Sequence, residues 1–235
     1  MTMNYYKGLE QAIKEFWETR NLQKSASQRQ DVGERKSVTA GKHMDSFLSL
    51  FRQIICEQGV DEANIFLKKD LELPGYFRPA KQWDLLVIKD GRLIAVIETK
   101  SHIGPSFGNN FNNRIEEAVG SATDLKKAFN KGVFGDSPLP FVGYFLLVEK
   151  CEASLRPVKV KSPHFDIFPE FAHTSYLQRY ELFCNRLVKE KLYSAAALIT
   201  SDRNTGPQGK FEEPAQQLGF SNFISSLIYT LKKLK

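Results

Sequence analysis

The run WDLLVIKDGRLIAVIETK, from Trp83 to Lys100, constrains the fold more than any other part of the chain. Two apolar stretches flank a Lys-Asp-Gly-Arg turn, the pattern of a β-hairpin. In both stretches the two alternating faces are apolar: Leu85 and Val87 against Leu86 and Ile88, then Leu93, Ala95 and Ile97 against Ile94 and Val96. A strand with one solvated face alternates polar and apolar residues, so these strands belong to a sheet covered on both sides. The expected fold is therefore α/β, a central sheet flanked by helices.

Periodicity predicts the other elements. Tyr6, Leu9, Ile13, Phe16 and Trp17 form a helical stripe within Tyr5–Thr19, and Met44, Phe47, Leu48, Phe51, Ile54 and Ile55 form another between Gly41 and Gly59. Ile65–Lys68, Phe141–Val148 and Ser194–Thr200 read as strands, and Thr174–Lys191 and Pro214–Lys235 as helices. Ser101–Asn113 reads as a Gly/Asn-rich loop leading into a helix over Arg114–Asn130.

The chain has 235 residues, 42% of them hydrophobic and 26% charged, which excludes wholesale disorder and small disulfide scaffolds. A chain of this length buries roughly 70% of its unfolded surface, so any metal is there for chemistry and not to make the chain fold. We expect an N-terminal helix and basic arm over residues 1–40 and a single domain over 41–235. The arm carries Lys24, Arg29, Arg35, Lys36 and Lys42 against Asp31 and Glu34, suited to an anionic polymer or simply to water. The net charge of +6 admits an anionic partner without requiring one. Cys56, Cys151 and Cys184 are widely spaced, as free thiols of a reducing compartment are. With no signal-type h-region and no apolar run of spanning length, the expectation is a cytoplasmic protein with no membrane partner.

Acidic-x-Lys triplets occur at Glu34-Arg-Lys36, Glu98-Thr-Lys100 and Asp124-Leu-Lys126. The first lies in the polar arm and the third reads as the solvated face of a helix, whereas Glu98 and Lys100 end a buried strand. The parity of the hairpin decides what joins them. A two-residue loop, Asp90-Gly91, puts Asp84 on the opposite sheet face from Glu98. A three-residue loop, Lys89-Asp90-Gly91, or a bulge of equal parity, puts Asp84, Glu98 and Lys100 on one face. The expectation is the three-residue loop, with Asp84 facing Val96 and diagonal to Glu98, on the order of 7 Å apart. Two carboxylates and an ammonium at that spacing suit metal-assisted phosphodiester hydrolysis, in which Mg²⁺ takes oxygen ligands and keeps waters. The competing reading is an ion pair at a strand end.

Asp84, then Glu98-Thr99-Lys100, resembles the PD-(D/E)xK nuclease signature, with Trp83 in place of its proline. The wider context, AGKHMD at 40–45, RPAKQWDLLV at 78–87 and ETKSHIGPSFGNNFNNRIEEAVGSATDL at 98–125, resembles the XhoI-type restriction endonucleases. That resemblance implies a mixed-sheet α/β/α core and a type II enzyme that cuts double-stranded DNA at CTCGAG as a homodimer. It further implies Mg²⁺ held by Asp84 and Glu98, Lys100 as the catalytic lysine, and a cognate DNA methyltransferase protecting host DNA. By resemblance alone, Asp45 is a third metal-ligand candidate; its plainer reading is a first-turn acid favoured by the helix dipole. Glu57, Glu116 and Glu117 are weaker candidates for the same place.

Asn109, Asn110, Asn112, Asn113 and Arg114 follow the catalytic strand closely, and Asn and Arg pair with adenine and guanine edges or with phosphate. Lys42, His43 and Arg203 are further candidates for DNA contact. His102 reads as a phosphate contact or, more simply, a loop residue. Three rivals stand beside the restriction enzyme. A structure-specific repair or junction-resolving nuclease of the same fold would cut branched DNA, and a non-catalytic DNA-binding module would leave DNA intact in Mg²⁺. A glycosidase using Asp84 and Glu98 leaves Lys100 unexplained.

Overall fold

The computed structural model describes residues 2–27 and 42–233. Its helices are α1 (Thr2–Ser27), α2 (Asp45–Glu57), α3 (Phe107–Asn130), the short α4 (Glu152–Leu155), α5 (Tyr176–Lys189) and α6 (Phe220–Lys232). Its strands are β1 (Ile65–Phe66), β2 (Glu72–Pro74), β3 (Ala80–Gln82), β4 (Leu85–Lys89), β5 (Arg92–His102), β6 (Phe141–Glu149) and β7 (Ala195–Ser201). Five strands form one sheet in the order β1-β4-β5-β6-β7, antiparallel from β1 to β5 and parallel from β5 to β7. This is the mixed, helix-flanked sheet that the sequence predicts. No helix among the described residues is long and apolar enough to cross a membrane.

Both sheet faces are covered, which explains the apolar character of both faces of each strand. On one face Phe16 and Trp17 of α1, Phe47 and Phe51 of α2, and Phe223 of α6 pack against Leu85, Val87, Ala95, Ile97, Phe145 and Ile199. On the other, Ala118 and Ala122 of α3 and Tyr180, Phe183 and Leu187 of α5 pack against Tyr144, Leu146 and Leu198. A third, smaller cluster joins Leu71, Leu73, Trp83, Leu86, Val96 and Leu125 beneath a separate β2–β3 hairpin.

The β4–β5 hairpin reaches the predicted parity by the other route. Its loop is the two residues Asp90 and Gly91, both left-handed (φ 52° and 70°) as a type I′ turn requires. Lys89 faces Arg92 and Ile88 faces Leu93, but Val87 faces Ala95, so Ile94 is an extra residue. Ile94 and Ala95 accordingly enter the same core. Beyond the bulge Leu85 faces Ile97, and one step outward the same register sets Asp84 opposite Glu98 and not opposite Val96.

Several bounds differ from the periodicity reading: β1 ends at Phe66, β5 runs on to His102 and α6 starts at Phe220. Helix α3 starts at Phe107, inside the expected loop, because Phe107 and Phe111 continue the buried stripe of Ala118 and Ala122 at helical spacing. Helix α1 runs on to Ser27 through Gln, Leu and Lys, which are good helix formers though they add no apolar stripe. The β2–β3 hairpin gave no signal, since three-residue strands are too short to show alternation. Arg29, Arg35 and Lys36 of the expected basic arm lie outside the described residues.

Candidate active site

Glu98 lies in mid-β5, its side chain 2% exposed, on the sheet face that α3 and α5 cover. A carboxylate buried this deeply requires compensation, and it has three donors. Lys100 Nζ lies 3.1 Å and Lys81 Nζ 3.3 Å from Oε1, while the Tyr193 hydroxyl donates to Oε2 at 3.0 Å. Burial alone would push the Glu98 carboxyl up; the ammoniums of Lys100 and Lys81 and the hydrogen bonds from Lys100 and Tyr193 outweigh it and hold the group below its ordinary value. Glu98 is therefore ionised at neutral pH despite its burial.

Asp84 stands in a bend just before β4 and is half-buried. Its Oδ2 accepts hydrogen bonds from the Thr99 backbone N–H at 2.6 Å and from Thr99 Oγ1 at 3.0 Å. Among the described residues its other oxygen, Oδ1, has no hydrogen-bond partner. The middle residue of the Glu98-Thr99-Lys100 triplet thus ties the first carboxylate to the strand that bears the second. Beneath Glu98, Tyr144 of β6 occupies the paired position and packs edge-on to Tyr193 at 5.3 Å, an aromatic floor that keeps water from one side of the carboxylate.

Lys81 and Tyr193 escaped the sequence reading, as did the part that Asp124 plays. Lys81 comes from the β2–β3 hairpin and lies over the Trp83 ring, 4.1 Å from its centroid, so the tryptophan that replaces the signature's proline is its platform. Burial, with the like charge of Lys100, pushes the Lys81 ammonium pKa down against the opposing pull of Glu98. Asp124 positions this hairpin. The sequence suggested a solvated acid, but Asp124 is 3% exposed and accepts from the backbone N–H groups of Tyr76 (2.6 Å) and Phe77 (2.8 Å) and from Arg78 Nε (2.8 Å). A Cβ at Gly75 would lie 2.5 Å from Asp124 Oδ2, so glycine permits this approach.

The other candidates fall in different surroundings. Asp45 opens α2, on the opposite sheet face from Glu98, with its side chain exposed, and no group of three or more His, Cys, Asp or Glu suited to a metal occurs among the described residues. Glu57, Glu116 and Glu117 are exposed as well. Asn109, Asn112 and Asn113 form an exposed stripe on the first turns of α3, with Asn110 half-buried. Arg114 folds back, donating to Glu117 Oε2 at 2.9 Å and to the Ser101 carbonyl at 3.4 Å. His43 Nε2 lies 3.1 Å from Ser101 Oγ, and burial with the charges of Arg20 and Arg114 pushes the ring down to about 4. Lys42 opens the 3-10 turn before α2, and its side chain lies outside the described residues. Arg203 pairs with the buried Glu149, whose Oε2 also accepts from the Gly104 N–H at 2.9 Å. His102 is a buried strand residue, not a loop residue: 2% exposed, with Nδ1 2.5 Å from the Tyr180 hydroxyl.

Two opposed carboxylates, one with an unpaired oxygen, beside an ammonium are an arrangement suited to metal-assisted phosphodiester chemistry. The family model described as restriction endonuclease XhoI matches residues 23–213. This chain belongs to the XhoI restriction endonuclease family. Among relatives of this XhoI-family chain, the type II restriction enzyme BstVI of Geobacillus stearothermophilus is 46% identical over 203 residues, covering 84% of this chain and 91% of that one. Type II restriction enzyme XhoI of Xanthomonas vasicola is 46% identical over 179 residues (75% and 72%), and AbrI of Azospirillum brasilense 47% over 166 (69% and 74%). No solved structure matches. The XhoI-family chain is accordingly a sequence-specific restriction endonuclease, a site-specific deoxyribonuclease acting on double-stranded DNA.

Proposed function

We propose that the enzyme cuts both strands of the palindrome CTCGAG, with Asp84 and Glu98 holding Mg²⁺ and Lys100 as the catalytic lysine. The observation that carries this reading is the facing pair, Asp84 and a buried, ionised Glu98, with Lys100 Nζ 3.1 Å from the latter. Type II restriction endonucleases use a divalent cation, and the donor set fits a hard one. Asp84 offers an oxygen without a donor, and Glu98 Oε1 already accommodates positive charge in the form of two ammoniums. The chemistry such an ion supplies is polarisation of the scissile phosphate and a lowered water pKa.

The chain's own residues do the rest. Thr99 fixes the Asp84 carboxylate through Oδ2 and leaves Oδ1 directed elsewhere. Tyr193 and the aromatic floor fix Glu98 and exclude water beneath it. Lys100, partly exposed, orients the attacking water or offsets charge on the phosphorane-like transition state. Support for DNA contact is strongest at Asn109, Asn112 and Asn113, whose side chains are exposed within the first two turns of the helix that follows the catalytic strand. Asn110, Arg114, His43 and Arg203 would have to give up burial or present partners, and Lys42, together with Asp45 on the opposite sheet face from Glu98, completes the proposed set. A palindrome's two-fold symmetry is read by a two-fold protein, so the working unit is a homodimer. Cutting such a site in a cytoplasm shared with host DNA calls for a companion methyltransferase.

Digestion of plasmid DNA with Mg²⁺, followed by sequencing of the fragment ends, tests the specificity: discrete fragments ending within CTCGAG are expected, and any other site overturns it. Asp84→Ala, Glu98→Ala or Lys100→Ala should each slow cleavage about 10²-fold or more while specific binding in gel shifts persists. Wild-type cleavage by any of the three would remove that residue from the site.

A further inference from the structure

We infer that Lys81 is the stand-in counter-ion of Glu98 in the metal-free enzyme and yields that carboxylate to the divalent cation, a positioning residue of the catalytic centre. The inference rests on the proposed reading of Glu98 as a metal ligand. A carboxylate 2% exposed and left uncompensated is strongly destabilising, so before the cation arrives something must balance it. Two ammoniums share that task on a single oxygen, Lys100 at 3.1 Å and Lys81 at 3.3 Å from Oε1, while Tyr193 holds Oε2. The two ammoniums balance the two facing carboxylates, Glu98 and Asp84, but both crowd on Glu98 Oε1, where Lys100 repels Lys81. Glu98 Oε1 thus already meets two positive groups, a position that a divalent cation can take from one of them.

The two lysines differ in what else holds them. Lys100 is anchored in the catalytic strand, and its ion pair is with Glu98. Lys81 has two other attachments, the Gln82 carbonyl at 3.0 Å and the Trp83 ring face at 4.1 Å. It can release Glu98 and remain solvated by a carbonyl and an aromatic face, a retreat that the structure shows for Lys81 alone of the pair. The hairpin under it does not have to move, because Asp124 pins its loop to α3. Lys81 thus keeps Glu98 ionised and oriented while the site waits, and competes with the incoming cation.

The experiment is calorimetric titration of Mg²⁺ into the DNA-free enzyme, with thermal melts in EDTA and in Mg²⁺, for wild type, Lys81→Met, Lys81→Arg and Glu98→Gln. Removing the competing charge should tighten Mg²⁺ binding on the order of tenfold in Lys81→Met. The same variant should melt below wild type in EDTA and recover in Mg²⁺, with Lys81→Arg close to wild type in both. Lys81→Gln, polar and nearer in shape, replaces the methionine variant if that one fails to fold. Unchanged or weaker Mg²⁺ binding on loss of the Lys81 charge, with binding still abolished in Glu98→Gln, overturns the role of Lys81 and leaves Glu98 as a ligand. Undiminished binding in Glu98→Gln overturns the reading of Glu98 and the inference with it.

Discussion

His102 shows how far a single side chain departs from its sequence appearance. It follows Lys100 by one alternation of β5 and so points into the same covered face, where burial, opposed by a hydrogen bond at Ser106, pushes its ring down to about 4 from 6.5. The sign follows from linkage. Between pH 6.5 and 4 the unfolded chain takes up a proton that the folded chain refuses, so this contribution to stability is complete above about 6.5 and is lost as pH falls towards 4. Urea denaturation of wild type and His102→Gln at pH 7 and pH 4.5 should give curves that converge at the lower pH, with His102 accounting for on the order of 2–3 kcal/mol of the wild-type loss. Parallel losses in the two proteins would show that His102 accepts a proton without penalty. Residues were legible to different degrees for a related reason. Asp84, Glu98 and Lys100 could be read because their relation is set within one hairpin. Tyr193 is separated from Glu98 by 95 positions, and a tyrosine before a strand carries no mark of the carboxylate it will meet. Lys81 is only 17 positions away, but it arrives on a strand too short to announce itself.

Elements were legible where hydrophobic periodicity outweighed local propensity and misread where the two disagreed. Both long central strands and the helices behind them were found, since each buries a continuous apolar set. The start of α3 was missed because Gly and Asn favour turns, and tertiary burial of Phe107 and Phe111 against Tyr176 and Tyr180 overrode that preference. That competition makes a prediction about two faces of one helix. Phe111→Ala should destabilise the protein by about 3–5 kcal/mol, the range for an aromatic removed from a core. Asn112→Ala, on the exposed face, should change stability by less than about 0.5 kcal/mol. If the asparagine stripe meets DNA, Asn112→Ala should nevertheless weaken duplex binding, whereas Phe111→Ala should affect binding only as far as it unfolds the chain. Denaturant midpoints and gel shifts on the same preparations separate the two effects, and equal stability losses would place Asn112 in the core instead of on the surface.

At the scale of the molecule, α1 is the element whose importance exceeds its apparent place as an N-terminal appendage. Leu9, Ile13, Phe16 and Trp17 are all fully buried, and they belong to the same apolar cluster as β4, β5, β6 and β7. Trp17 also donates from Nε1 to Ser201 Oγ at 2.9 Å, at the far end of the last sheet strand. The fit is close enough that a Cβ at Gly206 would stand 2.0 Å from that nitrogen, so the loop after β7 and the N-terminal helix are shaped to one another. Cover for one whole sheet face is therefore shared among α1, α2 and α6, and losing α1 strips a strand-bearing core of its lid, not an arm of its anchor. Trp17→Ala should cost about 3–5 kcal/mol, and Gly206→Ala, with no room for even one methyl, should be comparably disruptive though it removes nothing. A chain beginning at residue 41 should lack a cooperative urea transition and expose apolar surface to dye, because the face of β5 opposite Glu98 would then meet water. Since β5 carries both Glu98 and Lys100, such a chain should lose cleavage together with its fold. A truncated protein that still unfolds cooperatively and cuts DNA would show that α2 and α6 close the sheet without help.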